Sequence, residues 1–176
     1  MNLYTRYFAA FLMLTLFSTV SLAHDNKIKV ISTDEAPKSK SYSQGMKFND
    51  FVFVSGQISR NPDGSNVTGD ITEQTTRVMD NIGAILNAAR LDFCDVVMAT
   101  VYLATLDDFN DFNKAYTSYF SDCVDKDNDE PVLPARATVG GVEIPGSTKA
   151  QPLKVEISVI AAKQKSKKWS WSSFHQ

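Results

Sequence analysis

The sequence predicts an α+β domain with two helices on one face of a sheet, and three observations carry that reading. The patterns run in the order strands, helix, strand, helix, strands. Residues 153–159 alternate strictly: Leu153, Val155, Ile157 and Val159 point one way, and Lys154, Glu156 and Ser158 the other. Residues 51–58 and 96–103 instead carry apolar side chains on both faces. Two helices cover one face only, so the second face of the sheet asks for another copy of the chain, with sites between copies.

The elements follow in order. Residues 1–23 read as a secretory signal peptide, with Arg6 as the positive region, a largely apolar stretch from Tyr7 to Val20, and the small-x-small site Ser21-Leu22-Ala23. The apolar stretch is short of the about 20 residues that span a bilayer, so cleavage after Ala23 and a periplasmic or secreted location are expected. Residues 24–163 then form one domain. Phe51–Ile58 is a strand, followed by turn chemistry at Arg60-Asn61-Pro62-Asp63-Gly64-Ser65. Asp70 caps a helix with Glu73 at the capping-box position, and Ile71, Thr75, Val78, Ile82, Ile85, Leu86 and Ala89 form its apolar stripe. Val96–Leu103 is the next strand. Thr105 is expected to cap a second helix with Asp108 at N3, and Phe109, Phe112, Tyr116 and Tyr119 as its apolar side. An acidic loop from Asp122 to Glu130 leads to the last two strands, which carry Arg136 and Glu156.

Composition excludes several functions. The net charge is −2 with no basic stripe, which leaves nucleic-acid binding without electrostatic support. The two histidines, His24 and His175, sit near the ends, so a histidine triad, a zinc site or a histidine base is not expected. Residues 164–176 form a Lys/Trp/Ser-rich tail that reads as a solvated end, with contact to an anionic membrane as the alternative. Cys94 and Cys123 each follow the end of a helix, and both helices travel the same way over the sheet. They fall on one edge, either as a disulfide or as two separate thiols.

Chemistry therefore rests on Arg136 and Glu156. If their strands are neighbours, a guanidinium fork for a small carboxylate faces a carboxylate able to activate water. A structural ion pair is the competing reading.

Tyr42-Ser43-Gln44, Val54-Ser55-Gly56-Gln57-Ile58, Gly69-Asp70-Ile71, Glu73-Gln74-Thr75, Asn81-Ile82, Phe109-x-x-Phe112-Asn113, Tyr116, Pro134-Ala135-Arg136 and Val155-Glu156-Ile157 together resemble the RidA (YjgF) family. The match covers about residues 30–162. The resemblance implies a chorismate-mutase-like α+β fold, a mixed sheet with two helices on one face, assembled as a homotrimer with ligand clefts between subunits. It implies a hydrolytic deaminase converting reactive 2-imino acids, or their enamine tautomers, to 2-keto acids and ammonia, with neither cofactor nor metal. Arg136 would clamp the substrate carboxylate and Glu156 would activate water. Backbone groups at Ala137 and Thr138 would hold the imine nitrogen, and Tyr42, Ser55, Gly56 and Asn113 correspond to cleft positions. Lys40-Ser41 replaces the family's Gly-Pro, Thr138 replaces a common cysteine, and the segments 137–155 and 121–133 are longer than usual. The longer segment before Glu156 is expected to form an extended hairpin or to alter the cleft rim. A small carboxylic-acid binding or interaction protein on the same scaffold, without turnover, is the alternative function.

Overall fold

The computed structural model describes residues 27–125 and 130–163. Residues 1–23, read above as a signal peptide, the expected cleavage site after Ala23, both histidines and the Lys/Trp tail lie outside the described residues. Among the described residues no helix is long and apolar enough to cross a membrane.

Six strands form one mixed sheet: β1 (Lys29–Ile31), β2 (Gly45–Phe48), β3 (Phe51–Ile58), β4 (Val96–Leu103), β5 (Ala135–Gly140) and β6 (Val155–Ala162). Their spatial order is β1-β2-β3-β6-β4-β5, antiparallel throughout except for the parallel pair β4–β5. The long helix α1 (Ile71–Ala88) and the shorter α2 (Phe109–Ser118) are the two connections that bury apolar stripes against the sheet.

Local chemistry explains α1. Asp70 accepts from the Glu73 N–H at 2.9 Å, and the Glu73 carboxylate accepts from the Asp70 N–H at 3.1 Å, the reciprocal box read from the sequence. Such a cap contributes about 1 kcal/mol. Val78, Ile82, Ile85 and Leu86 are fully buried against Val52, Val101 and Ile157 of the sheet. Gln74, also buried, donates to the Gly69 and Pro152 carbonyls and accepts from the Lys154 N–H, which fixes the start of the helix to the approach to β6.

The second helix differs from expectation at its start. Thr105 caps a single 3-10 turn, Leu106–Asp108, by accepting from the Asp107 N–H, and α2 begins only at Phe109. Asp108 makes no side-chain cap; it pairs with Lys154 Nζ at 3.0 Å. A threonine satisfies the nearest free donor, and here that donor opens a short turn rather than the helix.

Cys94 and Cys123 are joined as a disulfide, with Cα atoms 5.1 Å apart and a sequence separation of 29. The bond ties the entry to β4 to the segment leaving α2. The Phe93 ring, next to Cys94 in sequence, packs on Tyr119 and Phe120 at centroid separations of 5.1 and 5.6 Å.

On the face away from the helices, Phe51 and Phe53 of β3, Val97 and Tyr102 of β4 and Val139 of β5 stand 37–46 % exposed. This is the uncovered apolar face that the doubly apolar strands imply.

Candidate functional site

Strand order decides where Arg136 and Glu156 meet. They are not on neighbouring strands: β6 lies between β3 and β4, and β5 pairs only with β4. Arg136 is level with Ala99, which is fully buried beneath the helices, whereas Glu156 is level with Tyr102 on the open face. Ala99 and Tyr102 are three residues apart on one strand and so point to opposite faces. The two side chains of one chain therefore look away from each other, and the pair expected from adjacent strands is not formed. The reason is long-range: β6 returns through the middle of the sheet instead of extending it beyond β5.

Each residue nevertheless sits in a built environment. Arg136 is half-buried on the edge strand β5, its guanidinium carbon 4.9 Å from the ring centre of Tyr116, 5.5 Å from Phe112 and 5.8 Å from Phe109. Three aromatic faces hold the cation by electrostatic attraction while leaving its edge available. Its Nη2 donates to Asn113 Oδ1 at 2.8 Å, so one turn of α2 fixes the orientation of the fork. Burial pushes the Tyr116 hydroxyl up to about 12 against the opposing pull of Arg136, which keeps it neutral. Thr138 lies two residues along β5 on the same face as Arg136, and Ala137 is exposed on the other. Arg136, Asn113 and Thr138 thus form one group at the sheet edge.

Glu156 belongs to a second group. An open cleft of about 480 Å³ is lined by Tyr42, Ser55, Gly56, Arg60, Gly146 and Glu156, among others. The register of β3 against β6 slips between Val54 and Gln57, placing Ser55 and Gly56 in a bulge. The Ser55 hydroxyl donates to the Ser43 carbonyl at 2.7 Å and its N–H to the Gln44 carbonyl at 3.0 Å, which fixes the strand before it. A methyl group at Gly56 would stand 2.0 Å from Glu156 Oε1, so the carboxylate occupies the space that glycine leaves. Burial raises the Glu156 carboxyl above its ordinary value of 4.5. Tyr42 is largely exposed at the mouth of the cleft.

The segment between β5 and β6 forms no hairpin, because β4 separates the two strands. It crosses the end of the sheet, anchored by buried Ile144 and Leu153, and places Pro145 and Gly146 on the wall of the cleft. The rim alternative is the one the structure shows. Two features escaped the sequence reading. The stripe Phe109, Phe112 and Tyr116 read as plain packing but also cradles a cation, and Arg60 read as turn chemistry but lines the cleft. Their helical spacing and their position two residues past Ile58 were the available signals. Among the described residues no three His, Cys, Asp or Glu side chains cluster as metal ligands.

Comparison with known proteins agrees with this architecture. The family model described as endoribonuclease L-PSP matches residues 33–163. A RutC family protein of Saccharolobus solfataricus is 43 % identical over 137 residues, spanning 77 % of this chain and 98 % of the relative. A 2-iminobutanoate/2-iminopropanoate deaminase of Rattus norvegicus is 37 % identical over 135 residues, spanning 76 % and 88 %. Among solved structures, Escherichia coli TdcF with bound serine superimposes with a TM-score of 0.66 at 31 % identity, covering 77 % of this chain and 99 % of that one.

Proposed function

Because the chain belongs to the endoribonuclease L-PSP family, which includes the RidA (YjgF) proteins, we propose that it is a hydrolytic deaminase of 2-imino acids. The observation that carries this reading is the division of the site into two complementary halves. One half is a preoriented guanidinium at a sheet edge; the other is a half-buried carboxylate in a cleft on the opposite face. A single chain does not bring them together, but a second copy does when its β5 edge docks beside the exposed Phe51, Phe53 and Tyr102 of the first. A homotrimer with three such clefts meets this requirement by closed symmetry.

In the composite cleft Arg136 of one copy takes the substrate carboxylate on the guanidinium edge not committed to Asn113. Glu156 of the next copy accepts a proton from water as the water oxygen bonds to the imine carbon. Glu156 passes that proton to the nitrogen of the resulting tetrahedral adduct; the proton of the new hydroxyl then also moves to nitrogen as its oxygen becomes the carbonyl, the C–N bond breaks, and a 2-keto acid and ammonia leave. The raised pKa of Glu156 makes its carboxylate a stronger base than an exposed one. The backbone at Ala137 and Thr138 lies beside Arg136, within reach of the imine nitrogen of a clamped substrate. No step needs a cofactor.

The rat relative's name supports the substrate class, and the serine bound by TdcF is a small molecule bearing a carboxylate. The family description names a ribonuclease, but the net charge of −2 and the absence of any histidine between His24 and His175 give that chemistry neither a basic footprint nor an imidazole pair. Residues 1–23 as a leader and a disulfide between Cys94 and Cys123 together support a periplasmic or secreted enzyme.

The test is loss of 2-iminopropanoate, generated by an amino-acid oxidase and trapped as the semicarbazone. The purified protein accelerates its loss, Arg136→Ala abolishes the acceleration, and Glu156→Gln abolishes turnover while still binding the 2-keto product. Product binding without turnover in the native protein would instead support the binding-module reading.

A further inference from the structure

The Glu156 cleft holds a second cation that the deaminase reading does not use. Arg60 follows β3, two residues after Ile58, which is the register partner of Glu156, and both Arg60 and Glu156 line the cleft. The Arg60 N–H donates to the Ile58 carbonyl at 2.7 Å, a tight turn that keeps Arg60 near the level of Glu156, closer than the about 7 Å that two extended residues would span.

Arg60 is mounted, not loose. Its backbone bridges to Asn66, its carbonyl accepts from Asn81 of α1 at 2.8 Å, and its Nε donates to Asn66 Oδ1 at 2.9 Å. Asn66 is in turn held by Gln151 Oε1 at 3.4 Å. The far end of the guanidinium lies against Gly146, where a Cβ would stand 3.0 Å from Nη2; Gly146 has φ +81° and offers backbone alone. Among the described residues Arg60 forms no ion pair with a carboxylate. Lys40 lines the adjoining recess with Arg60, and Lys38 beside it is already paired with Asp34. A half-buried guanidinium, preoriented through Nε and without an anion, is a receptor for one.

We infer that Arg60 selects substrates with a second carboxylate, so that the preferred imines are dicarboxylic 2-imino acids of four or five carbons. This rests on the deaminase reading of the same cleft. Arg136 takes the carboxylate next to the imine carbon, Glu156 serves that carbon, and Arg60 takes the distal acid. The reaction is the same hydrolysis, with the distal carboxylate unchanged. The class of reaction that supplies such a substrate is oxidation of an acidic amino acid at its α-amino group.

The experiment compares kcat/KM for 2-iminosuccinate, made from D-aspartate by an oxidase, with kcat/KM for 2-iminopropanoate. The native protein favours the dicarboxylic imine. Arg60→Gln lowers the ratio of the two by about ten- to a hundredfold, the worth of one charge-assisted hydrogen bond, and Arg60→Lys restores part of it. A ratio that does not move in Arg60→Gln overturns the inference. Calorimetric binding of 2-oxoglutarate against 2-oxobutanoate separates it from the deaminase reading. If no imine is hydrolysed, a preference for 2-oxoglutarate that disappears in Arg60→Gln still upholds the role of Arg60, and equal binding of both acids refutes it.

Discussion

Replacing Gly56 by alanine tests whether the position of the Glu156 carboxylate, rather than its mere presence, produces turnover. The added methyl group would stand 2.0 Å from Oε1 and 2.9 Å from the carboxylate carbon. Non-bonded carbon and oxygen approach no closer than roughly 3.0–3.3 Å, so the oxygen retreats by about 1 Å or the side chain adopts another rotamer. Glu156 has a flexible end and an open cleft beside it, so the fold absorbs this change at a cost of about 1 kcal/mol or less. Catalysis does not absorb it. Misplacing a group by about 1 Å costs on the order of 100-fold in rate. Gly56→Ala is therefore expected to denature within a few degrees of the native protein and to assemble normally, while kcat for 2-iminopropanoate falls about 100-fold. The assay pairs thermal unfolding with steady-state imine loss. Native kcat in a folded Gly56→Ala protein would show that the carboxylate at this position does not act on water.

The remaining predictions concern stability, pH and assembly. Replacing both Cys94 and Cys123 by serine opens a loop of 29 residues and is expected to remove about 3–4 kcal/mol, read from urea unfolding. Because burial raises the Glu156 pKa in the folded state, the charged form carries a penalty that is absent below 4.5 and complete above the folded pKa. Glu156→Gln is therefore expected to gain stability relative to the native protein as pH rises from 4 to 7, measured by unfolding at both pH values. If Glu156 is the base, kcat/KM of the native protein falls off on the acidic side with a limb above 4.5, measured for 2-iminopropanoate. Phe53→Lys places a charge on the exposed apolar face and is expected to yield single subunits by ultracentrifugation, with turnover lost.

Much of the fold was legible because its signals are local. The Asp70–Glu73 box, the alternation of residues 153–159 and the apolar stripe of α1 each lie within one element, and each appears in the structure as read. The doubly apolar strands were informative for the same reason: Phe51, Phe53, Val97 and Tyr102 stand on a face that no helix covers. What the sequence did not reveal was the order of strands. Insertion of β6 between β3 and β4 is a long-range pairing with no local mark, and it sets Arg136 and Glu156 on opposite faces. The rim formed by Pro145 and Gly146 depends on the same topology, and so does the entry of Arg60 into the cleft. Thr105 was correctly read as a cap but assigned to the wrong turn, because a cap residue marks a free donor and not the length of the helix beyond it.

The central claim is that the working site is shared between copies, and mixing two inactive variants tests it directly. Arg136→Ala retains its Glu156 half, and Glu156→Gln retains its Arg136 half. Unfolded together and reassembled at equal amounts, they are expected to recover about a quarter of native activity, since each cleft draws its two halves at random from two copies. A mixture as inactive as either variant alone, in oligomers shown to contain both, would contradict the shared site.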